Sequence, residues 1–310
     1  MNNKLEVVNL LHRKHDLESY LNTLIYGSIE IRDSNGKKYI YVHYRDSGRS
    51  VTKYVGEYSD DLYNLILSNT IKAKEIKKEL KGIEKNLKDS GFSDNKLSDD
   101  VKKNIDFAKC RMVDAIYSQA ILEGVATTFA DTESIIEGGK VNNMTSNDIM
   151  KIINLKHAWE FILDENVILS KSDFSLLSQI NKLVIENFYY NAGEVRSTPA
   201  KIGGTKWVPN IPIRSQVLEE LNDIINNDMD DINKAIQMIL YIMKRQIFID
   251  GNKRSAVIFS NHYLISKGLG IIVIPVEMDD EFKNLLILYY ENNDDKKIIK
   301  FLLEKCYIKI

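Results

Sequence analysis

Apolar residues recur at helical spacing along most of this 310-residue chain and at alternate positions along one short stretch. Residues 1–25 place Leu10, Leu11, Leu17, Tyr20 and Leu21 for a first helix. The period changes over residues 27–57. Ile29-Glu30-Ile31-Arg32, Tyr39-Ile40-Tyr41-Val42-His43-Tyr44 and Ser50-Val51-Thr52-Lys53-Tyr54-Val55 read as strands. Asp33-Ser34-Asn35-Gly36 and Asp46-Ser47-Gly48 are the turns that would fold them into a small β meander. Helical spacing returns over 59–90 with Leu62, Leu65, Ile66, Ile71, Ile76, Leu80, Ile83 and Leu87. Asp89-Ser90-Gly91 is its expected stop, and Ser93–Asp100 a linker.

Helical segments dominate thereafter. Val113, Ile116, Ala120 and Leu122 precede a stop at Gly124. Ile152, Ile153, Leu155, Ala158, Trp159, Ile162 and Leu163 mark a second helix, and Ala256, Val257, Phe259, Ser260, Tyr263 and Leu264, ending at Gly268, a third. Near the end, Leu285, Leu286, Leu288 and Tyr289 are separated from Ile298, Ile299, Phe301, Leu302 and Leu303 by Asn292-Asn293-Asp294-Asp295. Gly203-Gly204 lies between short apolar stretches and predicts a hairpin, with Trp207 packed on the core if the hairpin is an ordinary surface one. The organisation expected is an N-terminal region over 1–95 and a mainly α core over 101–307.

Composition narrows the classes. The chain is 44% hydrophobic with four prolines, which suits an ordered, mostly helical protein. Net charge is −2 and the pI about 6.3, so no global pull toward nucleic acid arises. Lys37, Lys38, Arg45, Arg49 and Lys53 flank the meander tyrosines, but Glu30, Asp33, Asp46 and Glu57 offset them, which favours a docking module or solvated charges over a nucleic-acid surface. Seven lysines between Lys72 and Lys88 alternate with Glu75, Glu79 and Glu84, as on a solvated face. Two cysteines, Cys110 and Cys306, exclude a disulfide framework and a cysteine zinc cluster. The N-terminus lacks a signal-peptide h-region, and the apolar run Leu269–Val276 contains Gly270 and Pro275 and is too short to span a membrane. A cytoplasmic location without a membrane partner is the expectation.

The stretch with the most chemistry is Gln246-Ile247-Phe248-Ile249-Asp250-Gly251-Asn252-Lys253-Arg254-Ser255-Ala256. A Gly-Asn turn feeding a helix start offers free N–H groups and a favourable dipole to an anion. Lys253 and Arg254 add charge for phosphate, and Asp250 is a carboxylate suited to magnesium. This segment resembles the signature loop of the Fic family, His-x-Phe-x-Asp/Glu-Gly-Asn-Gly/Lys-Arg. That family typically transfers AMP from ATP to a protein hydroxyl, and its Doc branch, which transfers phosphate, carries Asn-Lys-Arg as here. By this resemblance Asp250 is the magnesium ligand. Gly251, Asn252, Lys253 and Arg254 bind the nucleotide phosphates, Asn252 and Arg254 contribute to catalysis, and Phe248 anchors the loop.

The chain departs from the pattern at the base. Gln246 stands where the family has its catalytic histidine, and a neutral amide cannot usefully accept a hydroxyl proton near pH 7. No other histidine fits the role. His157 suits a structural helix position, and His262 falls roughly 12 Å along the helix from Arg254 at about 1.5 Å per residue. His12, His15 and His43 lie in the N-terminal region. A second departure is Val257, where many members have a further arginine for the outer phosphate.

Two more segments carry the resemblance. Ala192-Gly193-Glu194-Val195-Arg196 through Pro209 looks like the family's flap, in which Ile202, Gly203, Gly204 and Thr205 would align a target by strand pairing. Asp114–Gly124 looks like its inhibitory helix, with Ser118 and Glu123 as the regulatory residues. The spacing is imperfect, because Gln119 occupies the expected serine position, and Glu123 is left to meet Arg254 or Lys253 or to cap nothing at all. The implied fold is a Fic-type helical bundle with a β-hairpin flap, preceded by the meander and a long charged helix. The implied function is binding of ATP and Mg2+ with weak or lost AMP transfer to a Ser, Thr or Tyr hydroxyl of a protein target. Doc-like phosphate transfer with altered chemistry, and a non-enzymatic partner role through the N-terminal region, are the alternatives.

Overall fold

A computed structural model describes residues 2–34, 36–46, 49–90 and 97–310. The chain forms two compact units, residues 1–93 and 94–310. In the first, α1 (Asn2–Thr23) precedes β1 (Ser28–Ser34), β2 (Lys37–Asp46) and β3 (Arg49–Glu57), and α2 (Asp60–Asp89) follows. The strands form an antiparallel sheet in the order β1-β2-β3. Ile29 pairs with Val42, Ile31 with Ile40, and Tyr41 with Glu30 and Tyr54. Alternation along β2 turns Ile40 and Val42 to one face, where they bury with Ile66 of α2. Tyr39 and Tyr41 occupy the other face and meet Tyr54 there.

Helix α2 begins where Ser59 accepts the Leu62 N–H at 3.2 Å and Asp60 and Asp61 enter the first turn. Its buried stripe is Ile66, Ala73, Ile76, Ile83 and Leu87. Leu65 and Ile71, expected on that stripe, face outward at 56% and 61% exposure, and Tyr20 of α1 is likewise exposed. Residues Asn35, Ser47, Gly48 and Gly91, expected in turns and a stop, lie outside the described residues. Residues 93–96 of the expected linker also lie outside the described residues, and at its far end Ser98 caps the next helix, to which Asp99 and Asp100 already belong.

The second unit is helical: α3 (Asp99–Cys110), α4 (Met112–Leu122), α5 (Phe129–Ile136), α6 (Ser146–Ile162), α7 (Glu165–Ile168), α8 (Phe174–Val184), α9 (Arg214–Asn226), α10 (Asp231–Arg245) and α11 (Asn252–Ser266). Then come β4 (Ile271–Ile272), α12 (Asp279–Asn292), α13 (Lys296–Phe301) and β5 (Tyr307–Ile308), which pairs with β4. Helices α10, α8, α6 and α3 pack on α11, and every α11 residue except Lys253 and Ser266 is buried.

A helix buried on all sides must find partners for its polar side chains. Asn261 donates to the Ile272 carbonyl at 2.9 Å and accepts the Ile272 N–H at 2.8 Å, which pins β4. His262 is fully buried between the Ser172 hydroxyl at 2.9 Å and the Val167 carbonyl at 3.0 Å, and burial pushes its imidazole down to about 4. It is a packing residue. No helix among the described residues is long and apolar enough to cross a membrane.

Candidate functional site

The residues with phosphate chemistry meet where α10 ends and α11 begins. Helix α10 stops at Gln246, which turns left-handed at φ 49° while its N–H still reaches the Ile242 carbonyl at 3.1 Å. The loop then dives inward. Ile247 and Phe248 are buried, and the Phe248 ring stacks on Phe174 at a centroid distance of 6.3 Å. Asn252 closes the loop on itself. Its Oδ1 accepts the Phe248 N–H at 2.9 Å, and its Nδ2 donates to the Phe248 carbonyl at 2.9 Å and to Gln246 Oε1 at 3.1 Å. The Asn252 side-chain amide is thus engaged within the loop.

Gly251 is required twice over. Its φ is +73°, and a Cβ there would sit 2.7 Å from Ile185 Cγ2 and 3.1 Å from Asn181 Nδ2. Asn181 fills the space a side chain would take. Its Nδ2 donates to the Asp250 carbonyl at 2.9 Å and the Ser255 hydroxyl at 3.1 Å, and its Oδ1 accepts the Gly193 N–H at 3.0 Å. With the loop thus held, the N–H groups of Asn252, Lys253 and Arg254 head α11 without an acceptor among the described residues.

The cations are held by a carboxylate. Arg254 Nε lies 3.4 Å from Glu123 Oε2, and Lys253 Nζ lies 3.5 Å from Glu123 Oε1. Both are ion-pair contacts without hydrogen bonds: Arg254 Nε and Glu123 Oε1 are buried and form none among the described residues. Lys253 also donates to the Leu122 carbonyl at 3.3 Å. The other end of the Arg254 guanidinium donates to the Val184 carbonyl at 3.3 Å and to Asp250 Oδ2 at 3.2 Å. Glu123 occupies the C-cap of α4, one turn after Gln119. Gln119 donates to the Arg254 carbonyl at 3.4 Å and accepts from Trp159 Nε1 at 2.9 Å. Ser118 does not join this cluster. It lines a small cavity with Val257 and Ile272–Ile274. Val257 is 2% exposed in that apolar wall, so no cation replaces the family's further arginine there.

Gln246 is not poised as a base. Its Nε2 donates to the Met243 carbonyl at 2.6 Å, and its Oε1 takes the Asn252 amide. Asp250 is the one expected metal ligand, and its side chain is 42% exposed, with Arg254 as its ionic partner. Among the described residues no group of three or more His, Cys, Asp or Glu could hold a metal unaided. A single open carboxylate beside two cations and a helix start does suit magnesium, which is commonly held by one or two carboxylates together with phosphate oxygens.

The flap differs from expectation. Gly203 and Gly204 form a turn, with Gly204 at φ +79°, but no strand flanks them. Side chains satisfy the backbone instead. Glu291 Oε1 accepts the Thr205 hydroxyl at 2.8 Å and the Lys206 N–H at 3.0 Å. The base of the flap rests on Arg196, 1% exposed, whose guanidinium donates to the carbonyls of Gln246 at 2.6 Å, Thr198 at 2.6 Å and Asn210 at 2.7 Å. Burial, with Arg245 nearby, lowers the Arg196 pKa. Trp207 is 36% exposed rather than packed in the core, with Lys244 Nζ 5.0 Å from its ring centroid. Asn181, Glu291 and Lys244 were not singled out by sequence reasoning. Asn181 alone left a signal, as an amide inside the apolar run Leu176, Leu177, Ile180, Leu183, Val184.

Comparison with known proteins gives a consistent picture. The family model described as Fic/DOC family matches residues 171–264, and a second model, a domain of unknown function (DUF6788), matches residues 7–64. The chain is 26% identical over 180 residues to the protein adenylyltransferase fic-1 of Caenorhabditis briggsae, covering 54% of this chain and 34% of that protein. It is 24% identical over 178 residues to the Caenorhabditis elegans counterpart, with the same coverage of 54% and 34%. The chain thus spans about a third of the length of the curated relatives it matches. A Fic-1 fragment from C. elegans shares its fold with TM-score 0.54 at 19% identity, covering 78% of this chain and 80% of the fragment. A Fic domain containing signaling protein from Bacteroides thetaiotaomicron does so with TM-score 0.52 at 17% identity, covering 68% of this chain and 90% of that one.

Proposed function

We propose that this chain, which the Fic/DOC family model matches over residues 171–264, binds ATP with Mg2+ at the head of α11, as a relative of AMP transferases whose own transfer is weak or lost. The observation that carries this reading is the Glu123 carboxylate lodged against Lys253 and Arg254 at 3.5 Å and 3.4 Å. Two cations have collected an anion from the chain itself, and a phosphate oxygen would satisfy the same cations. Asp250 would hold the cation. When bound, ATP-Mg would supply the transferable AMP group and neutralise developing charge. The backbone N–H groups of Asn252, Lys253 and Arg254 would orient the phosphates. Residues 202–205 would place a protein target's Ser, Thr or Tyr hydroxyl.

Transfer fails at the proton. Gln246 is neutral and its amide is occupied on both ends, so nothing at that position can relieve the attacking hydroxyl of its hydrogen. Glu123 adds a second brake, because a ligand phosphate must displace it.

Calorimetric titration with ATP and MgCl2 tests the reading. Binding is expected in the wild-type chain and at least about tenfold tighter in Glu123→Gly, which frees both cations. Asp250→Ala is expected to abolish the magnesium dependence. Absence of heat in both the wild type and Glu123→Gly would reject the nucleotide site. In the Glu123→Gly background, Gln246→His is expected to raise transfer to protein hydroxyls roughly 10²–10⁴-fold. A phosphorylated rather than adenylylated product would assign the chain to Doc-like chemistry.

A further inference from the structure

The flap segment 198–212 contains no strand, and a backbone outside helix and sheet needs other acceptors for its N–H groups. One helix end supplies what the tip requires. Glu291, in the last turn of α12, accepts both the Thr205 hydroxyl and the Lys206 N–H, at 2.8 Å and 3.0 Å. Trp207 N–H folds back onto the Thr205 hydroxyl at 3.1 Å, which extends the same chain of bonds. Beneath it, Lys244 faces the Trp207 ring at 5.0 Å and the Tyr289 ring at 4.3 Å, and is tied to Asn293 Oδ1 at 2.6 Å. A Cβ on Gly204 would lie 3.2 Å from Ile287 Cδ1, so the turn rests on the same helix.

We infer that Glu291 is a latch for the flap: its carboxylate takes the place of a target's backbone carbonyl at Lys206 and holds the flap tip on α12 until a target segment replaces it. The inference rests on the reading of residues 202–205 as a target-aligning flap. The chemistry suits an exchangeable contact. A carboxylate is a strong acceptor for N–H and O–H donors, yet Glu291 is solvent-exposed, so water can replace it at little cost when the flap lifts. Both hydrogen bonds pull on it as an anion, and they hold its carboxyl below the usual range. The latch is therefore set throughout the neutral range and is opened by competition.

Two measurements on the full chain test this without nucleotide or target. Hydrogen exchange over residues 201–210 is expected to be at least about tenfold faster in Glu291→Ala than in the wild type at Lys206 and Trp207. Glu291→Gln, which keeps an acceptor oxygen, is expected to restore part of that protection. Acrylamide quenching reports the same event, because Trp159 is fully buried and Trp207 is the accessible one of the two tryptophans. Quenching is expected to rise in Glu291→Ala. Unchanged exchange at Lys206 together with unchanged quenching would overturn the latch. ATP-Mg calorimetry on the same variant separates the two readings, since the nucleotide site can stand while the latch fails.

Discussion

Two glutamates hold opposite sides of the site, and their surroundings give them different work. Glu123 is enclosed, its side chain 15% exposed, between Lys253 and an Arg254 side chain that is only 4% exposed. Glu291 stands in solvent and holds its partners by hydrogen bonds alone. Charges taken from water must stay matched, because an unpaired buried charge is costly, whereas an exposed pair exchanges with water almost freely. The loop side is therefore built to keep its geometry and the flap side to give it up. Substitutions should separate them by the size of their effects on folding.

The largest effect is expected at Arg196, which belongs to both sides. Its guanidinium meets no carboxylate; it is shared among the carbonyls of Gln246, Thr198 and Asn210. Arg196→Ala strands those acceptors, and stability in urea is expected to fall by about 3 kcal/mol or more. A loss below about 1 kcal/mol would show that water replaces the guanidinium and that the loop side is less enclosed than its burial implies.

Next is the titration of His262, at the inner face of α11. Its pKa is about 4 in the folded chain against roughly 6.5 unfolded, so the unfolded chain binds the extra proton between those values. The stability from this group is present above pH 6.5 and is lost as pH falls through the folded value near 4. The full span amounts to about 3 kcal/mol. Urea midpoints measured from pH 7 to 4 are expected to fall less steeply in His262→Gln than in the wild type. Parallel profiles would place the acid sensitivity elsewhere.

A smaller loss is expected in Glu123→Gln. Arg254 keeps Asp250 and Val184, so only part of its compensation goes, about 1–2 kcal/mol. A stabilised Glu123→Gln would mean that the enclosed pair is strained, held for regulation and not for folding.

These contrasts also mark what the amino-acid sequence discloses. The signature loop was legible because its chemistry is consecutive: Asp250 to Arg254 share one turn and one helix start. The meander was legible because period-two alternation is local, and its strands form where expected. Burial on a helix was less so. Leu65 and Ile71 fit the apolar period of α2 yet face outward, while Ala73 takes an inner position. The hairpin at Gly203-Gly204 was misread because glycines specify a turn and say nothing of what flanks it. Acceptors lying far along the chain, Glu291 for Lys206 and the carbonyls gathered by Arg196, replace the ladder. The hydrogen bonds of the Asn252 amide to Phe248 and Gln246 were likewise not legible in the spacing. Local order is written in spacing, but the partner of a polar group is fixed only when distant segments meet.

The smallest effect on folding is expected at Glu291. Glu291→Ala leaves the Thr205 hydroxyl and the Lys206 N–H at the surface, where water accepts both. The urea midpoint is therefore expected to match the wild type even as the local exchange at Lys206 quickens. That pairing of outcomes is what distinguishes a latch from a structural strut. A contact that supports the fold cannot be released without lowering its stability, whereas a latch must be releasable at ordinary temperature for a target to displace it. A midpoint shift as large as that of Glu123→Gln would place Glu291 with the enclosed side and remove the asymmetry between the two glutamates.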